Sequence, residues 1–173
     1  MSGWGKYVWA AVAAAVLTHL AAINAVPNLL TGVAISRLGE AGVNRWHVAP
    51  RVTAESRTIV RPAPDFAYSA CSYDLGDGPL TLRVAPWGDY WSLSLYAENS
   101  DNYFVIDDRE VRGAAEIVLV RAGRTPPDTG ARVVESPSQR GVALIRRLAP
   151  TANTYNAAAD IARGDICARF AEN

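Results

Sequence analysis

Hydrophobic positions run almost unbroken through the opening of the chain and then give way to alternation. Residues 7–36 contain no Asp, Glu, Lys or Arg, and Lys6 is the one charged side chain before Arg37. The stretch YVWAAVAAAVLTHLAAINAVPNLL within it supplies the roughly 20 apolar residues that an α-helix needs to cross a hydrocarbon core about 30 Å thick. Trp4, Tyr7 and Trp9 stand at its beginning, where aromatic rings favour the headgroup region. Thr18, His19 and Asn24 are polar residues within the expected membrane segment. Pro27 lacks an N–H and crowds the turn before it, so it is expected to end or kink the helix. Residues 33–38 would then add one interfacial turn. This reading assigns 1–38 to a tail and transmembrane helix and 39–64 to a connector.

From Phe66 onward the period becomes two. PLTLRVA (79–85) alternates, and so does YWSLSLY (90–96), with Trp91, Leu93 and Leu95 on one side and Tyr90, Ser92, Ser94 and Tyr96 on the other. These are strand signals, and PWGD (86–89) between them has turn chemistry. Further strands are expected at 103–106, 116–121, 132–135 and 142–148. Near-helical spacing of Tyr155, Ala158, Ala162, Ile166 and Phe170 predicts a closing helix over about 153–170, capped by Thr151 or Asn153. The expected fold is mainly β: an antiparallel sandwich or barrel-like domain over 65–173, closed by that helix and preceded by one transmembrane helix.

Composition narrows the classes. Half of the 173 residues are apolar, 20% are charged, and seventeen basic residues balance seventeen acidic ones. A disordered polyampholyte, a collagen-like repeat and a basic nucleic-acid arm are excluded. Two other readings of the first segment remain. A cleaved signal peptide has a shorter apolar region and an A-x-A-like site; here Leu20 and Ile23 occupy the −3 positions of cuts after Ala22 and Ala25. A buried core helix of a soluble protein is the other. Arg37, Arg45 and Arg51 follow the span, which by charge count alone keeps the rest of the chain in the cytoplasm, although large translocated domains cross regardless of charge.

The two cysteines, Cys71 and Cys167, lack CxxC spacing, so a zinc knuckle or thioredoxin-like site is unsupported. In an exported domain they are a disulfide candidate, and otherwise two separate buried thiols. The pair favours an exported, periplasmic domain.

Chemical motifs are scarce. The sequence has no G-x-S-x-G, Walker A, G-x-G-x-x-G, H-E-x-x-H or EF-hand pattern. Outside the apolar segment the one histidine is His47, next to Trp46, and an interfacial anchor suits it better than catalysis. His19 suits packing or partner contact better than proton chemistry, having no acidic companion in the span. Asp101, Asp107 and Asp108 match no known calcium loop, and most aspartates fall in turns, where they bond local backbone. Trp87, Tyr90, Trp91, Asn99 and Asn102 combine aromatic faces with amides and are the candidate ligand-binding set. The plainer alternative is a sandwich core with polar turns. No catalytic residue, metal or cofactor is expected.

The segments CSYDLGDGP (71–79), YWSLSLY (90–96) and NYFVIDDR (102–109) resemble the bacterial family called domain of unknown function 1254. The polar residues of the span, the Ser136-Pro137 turn with Arg140-Gly141, and Cys167 are similar to its short, membrane-anchored members. The resemblance implies a β-rich domain without an established activity. In longer relatives a second domain, domain of unknown function 1214, follows on the same chain; in the short subgroup it is commonly a separate membrane protein. A partner of that kind is therefore expected, with the chain a single-pass protein of the bacterial inner membrane and an accessory or interaction subunit of the cell envelope. The alternatives are an envelope glycan- or lipid-binding module, or half of an enzyme completed by the partner chain.

Overall fold

The computed structural model describes residues 3–56 and 61–171. One long helix, α1 (Gly5–Glu40), leads into nine strands. They are β1 (His47–Val48), β2 (Phe66–Asp74), β3 (Leu80–Val84), β4 (Trp91–Ala97), β5 (Asn102–Asp107), β6 (Ala115–Arg121), β7 (Arg132–Ser136), β8 (Arg140–Leu148) and β9 (Ile166–Arg169). A short helix, α2 (Ala152–Ile161), precedes β9.

The strands form two sheets, with orders β1-β2-β8-β4-β5 and β7-β6-β3-β9. All pairings are antiparallel except β6–β7, which is parallel. That pair departs from the all-antiparallel expectation. The loop between the two strands, rich in Pro and Gly, carries the chain back along the edge so that β7 starts beside Ile117. The alternation anticipated in β4 is real. Trp91, Leu93 and Leu95 are buried between the sheets, together with Leu80, Leu82, Ile117, Leu119 and Ile145 of the neighbouring strands.

Two boundaries differ from the sequence expectation. α1 does not end at Pro27 but continues to Glu40, about 54 Å at 1.5 Å per residue. A proline costs a helix one hydrogen bond and some crowding. Here the turns after Pro27 are held from outside, because Thr31 and Ile35 are buried against the sheet. The expected closing helix over 153–170 is also shorter. α2 ends at Ile161, a 3-10 turn covers Ala162–Gly164, and Cys167 lies on a strand. Gly164 weakens a helix at that point, and the edge of β3 offers Ile166–Arg169 a full set of ladder partners. Thr151 caps α2 through a reciprocal box with Thr154.

Cys71 of β2 and Cys167 of β9 are bonded, tying one sheet to the other.

Candidate functional site at the junction of helix and sheet

α1 is long and apolar enough to cross a membrane, and it docks on the outer face of the five-stranded sheet. Ser72 Oγ of β2 donates to the Ile35 carbonyl at 3.3 Å. Ser100, in the β4–β5 turn, donates to the Pro27 carbonyl at 3.1 Å and also bonds the Thr31 hydroxyl. Ile35 lies eight residues beyond Pro27, about 12 Å of helix. From β2 to β5 there are three strand spacings, about 14 Å. The helix therefore runs across the strands, from β2 at Ile35 to the β4–β5 turn at Pro27. The junction is specified on both sides. Ser100 adopts a left-handed φ of 75°, which aims the turn at the helix.

Beside this junction is a groove of about 510 Å³. One wall is α1, with Leu29, Gly32, Val33 and Arg37; the other is Glu98 with Arg140. Arg140 Nη2 meets Glu98 Oε1 at 2.5 Å, with both side chains partly exposed. The groove thus sets an apolar helix wall against a mixed cationic and anionic rim.

The ligand set expected from the sequence is split in two. Trp91 is in the core, 2% exposed. Trp87 is partly buried, and its Nε1 donates to the Leu148 carbonyl at 3.2 Å. Tyr90 stands edge-on to Phe66, with ring centroids 6.0 Å apart. Asn99 and Asn102 are at the other end of β4, some 20 Å along the strand. Asn99 Nδ2 donates to Asp101 at 2.6 Å, and Asn102 opens β5 opposite Tyr96. The two asparagines therefore lie near Ser100, which bonds the helix, and away from the tryptophans. In the expected span, Thr18 and His19 are exposed along α1, while Asn24 Nδ2 donates to the Leu20 carbonyl at 2.8 Å. His47 lies on β1, and its Nε2 is 3.1 Å from the Gly42 carbonyl oxygen.

Two buried polar clusters were not anticipated. Arg147, on the inner face of β8, meets Asp165 through two bonds, Nη1 to Oδ2 at 2.9 Å and Nη2 to Oδ1 at 2.6 Å. Ala85 N–H donates to the same carboxylate at 2.8 Å. The side chains are 2% and 0% exposed, so the pair is a charged clip between sheets; both terminal nitrogens of Arg147 are bonded, and its buried Nε has no partner among the described residues. Its sequence signal is faint: an arginine at the inward position that Gly141, Ala143 and Ile145 occupy earlier on β8. The second cluster is built on Tyr73, whose hydroxyl donates to the Tyr96 carbonyl at 3.1 Å and lies 2.9 Å from Tyr103 Oη and 3.0 Å from Ser136 Oγ. Gly141 is obligatory there, since a Cβ would sit 2.2 Å from both Tyr73 Oη and the Tyr96 carbonyl oxygen. Burial pushes both phenols up, and the neighbouring Tyr73 raises Tyr103 further. Neither is poised for proton transfer near neutrality.

Among the described residues, no group of three His, Cys, Asp or Glu side chains could hold a metal ion. The pronounced features are a docked helix, a mixed-charge groove and buried structural clusters.

No curated protein matches the chain. The VPA0106 protein from Vibrio parahaemolyticus has a similar fold, with a TM-score of 0.59 at 12% identity over 83% of this chain and 37% of its own. An uncharacterised protein from Burkholderia cenocepacia matches at a TM-score of 0.46 and 16% identity, over 65% of this chain and 33% of its own. The chain spans about a third of the length of these solved structures. The description "Protein of unknown function (DUF1254)" matches residues 43–168. The part outside that match is chiefly α1. With its domain matched nearly from end to end, the chain belongs to the DUF1254 family.

Proposed function

We propose that this chain is a membrane-anchored subunit of the bacterial cell envelope. In this reading it belongs to the short, membrane-anchored branch of its family. The first twenty or so residues of α1 cross the inner membrane, and the β domain stands on the periplasmic side, where the disulfide is stable. Its role is structural: it presents the sandwich to a partner that carries the second domain, domain of unknown function 1214.

The observation that carries the reading is the continuity of α1. One helix supplies an apolar segment with hydrophobic residues exposed on every side, including Trp9, Val16, Leu17, Ile23 and Leu30, and then a segment fixed to the sheet by Ile35, Thr31 and Pro27. Such a rod holds the domain at a set height and rotation over the bilayer, as an assembly subunit requires. The match to about a third of the Vibrio chain is consistent with further parts being supplied by another polypeptide. Most of α1 being unpartnered also leaves Thr18 and His19 available to a neighbouring helix.

The test is co-purification in mild detergent after co-expression with a domain of unknown function 1214 membrane protein encoded beside it. The expected result is a stable pair that Thr18→Leu and His19→Leu weaken. Recovery of the lone chain under the same conditions contradicts the reading.

A further inference from the structure

We infer that the groove between α1 and the Glu98–Arg140 pair binds the headgroup of a zwitterionic phospholipid, its phosphate on Arg140 and its primary ammonium on Glu98. The inference rests on the membrane-anchored reading and adds a ligand to it. With the hydrocarbon core ending near Val26, the groove residues begin at Asn28, where the headgroup layer lies. A bilayer with its headgroups is about 40–45 Å thick. Lys6 and Arg37, the charges that bound the neutral stretch, are about 46 Å apart along the helix. The groove thus rises through and just above the headgroup layer, and long arginine side chains reach back toward it.

The walls match the two ends of a lipid. Leu29 and Val33 continue the apolar surface of the span upward, so a glycerol backbone and upper acyl chain can follow the helix. Across from them, Arg140 and Glu98 are paired with each other at 2.5 Å and partly exposed, so a headgroup carrying the same two charges can add to the pair, each charge meeting its opposite. A phosphate needs the guanidinium geometry, and an ammonium needs the carboxylate. Gly32 leaves the middle of the groove open, with nothing within 4 Å of where its Cβ would stand.

The test is lipid retention by the full-length protein. It is reconstituted in nanodiscs of phosphatidylglycerol with a minor share of phosphatidylethanolamine, washed with mild detergent, and its retained lipids are measured by mass spectrometry. The expected result is enrichment of phosphatidylethanolamine over its share in the disc. Arg140→Gln should cut that enrichment about tenfold, as for losing one charge-assisted hydrogen bond. Glu98→Gln should shift retention toward phosphatidylglycerol. Gly32→Leu should abolish retention by filling the groove while leaving the charges in place. Retained lipid in the bulk ratio overturns the inference, as does unchanged enrichment in Arg140→Gln and Gly32→Leu. If Gly32→Leu blocks pairing with another protein and leaves lipid retention unchanged, the groove takes a helix and the inference also falls. Failure of the chain to enter the discs is a separate result that removes the membrane reading itself.

Discussion

Ser100 reaches across seventy-three positions of sequence to donate a hydrogen bond to the carbonyl of Pro27. That bond joins the β4–β5 turn to the one proline of the helix, and with Thr31 it fixes where the rod leaves the domain. Ser100→Ala removes both hydroxyl contacts. The expected cost is about 1 kcal/mol, concentrated at the junction. Limited proteolysis near Gly42 should accelerate severalfold while the melting of the β domain changes little. An unchanged cleavage rate would show that the contact does not hold the helix.

Arg147 and Asp165 form a clip that either partner alone cannot replace. Arg147→Met leaves a carboxylate buried without its cation, and the expected loss is about 3–5 kcal/mol by urea unfolding. The double variant Arg147→Met/Asp165→Leu should recover part of that, leaving the Ala85 N–H as the residual cost. Equal losses in the single and double variants would mean the pair contributes through packing alone.

How much of this was written in the sequence differs by element. The strands were legible because apolar residues go to the face between the sheets, so Trp91, Leu93 and Leu95 alternate visibly with Ser92, Ser94 and Tyr96, even though the serines are buried as well. The fate of α1 after Pro27 was not, because the groups that hold those turns, Ser72 and Ser100, are remote in sequence. β9 was hidden for the same reason: its ladder partner β3 lies some eighty-five residues away, while local spacing imitates a helix. The aromatic set suggested a platform, since periodicity gives the side of a strand but does not show that Asn99 and Asn102 end up at the opposite end of β4 from Trp87 and Trp91. The Arg147–Asp165 clip was invisible, because an arginine in an alternating strand reads as an outward residue until its partner is placed.

Cys71 and Cys167 close a loop of 96 residues. In the chain-entropy description such a closure is worth about 4–5 kcal/mol. Reduction, or Cys167→Ser, should lower the melting temperature by several degrees and free β9 first, because that strand has one ladder neighbour. Hydrogen exchange at Ile166–Arg169 should rise before exchange at β3. Uniform exchange throughout the domain would contradict the assignment of β9 as the strand held by the bridge.

The phenols of Tyr73 and Tyr103 stay protonated in the folded state above their ordinary value of 10. In the unfolded chain both ionise near that value, so their contribution to stability is complete below pH 10 and is lost as pH rises beyond it. Stability should therefore fall above pH 10, and Tyr103→Phe should flatten that fall while costing about 1 kcal/mol at neutral pH. Ultraviolet titration of tyrosinate against circular dichroism checks it. Ionisation of both phenols in the folded protein near pH 10 would contradict the buried cluster.

The proposed anchor requires α1 to be one rod, in lipid at its beginning and on the sheet at its end. Nitroxide labels placed singly along residues 8–39 of the reconstituted full-length chain test it, by comparing their accessibility to oxygen and to a water-soluble nickel complex. The expected profile is greatest depth near Leu17, a return to the surface by Asn28, and helical periodicity beyond it where Thr31 and Ile35 face the sheet. A profile in which the nickel complex reaches residues 10–24 as freely as residues 36–39 would contradict the claim.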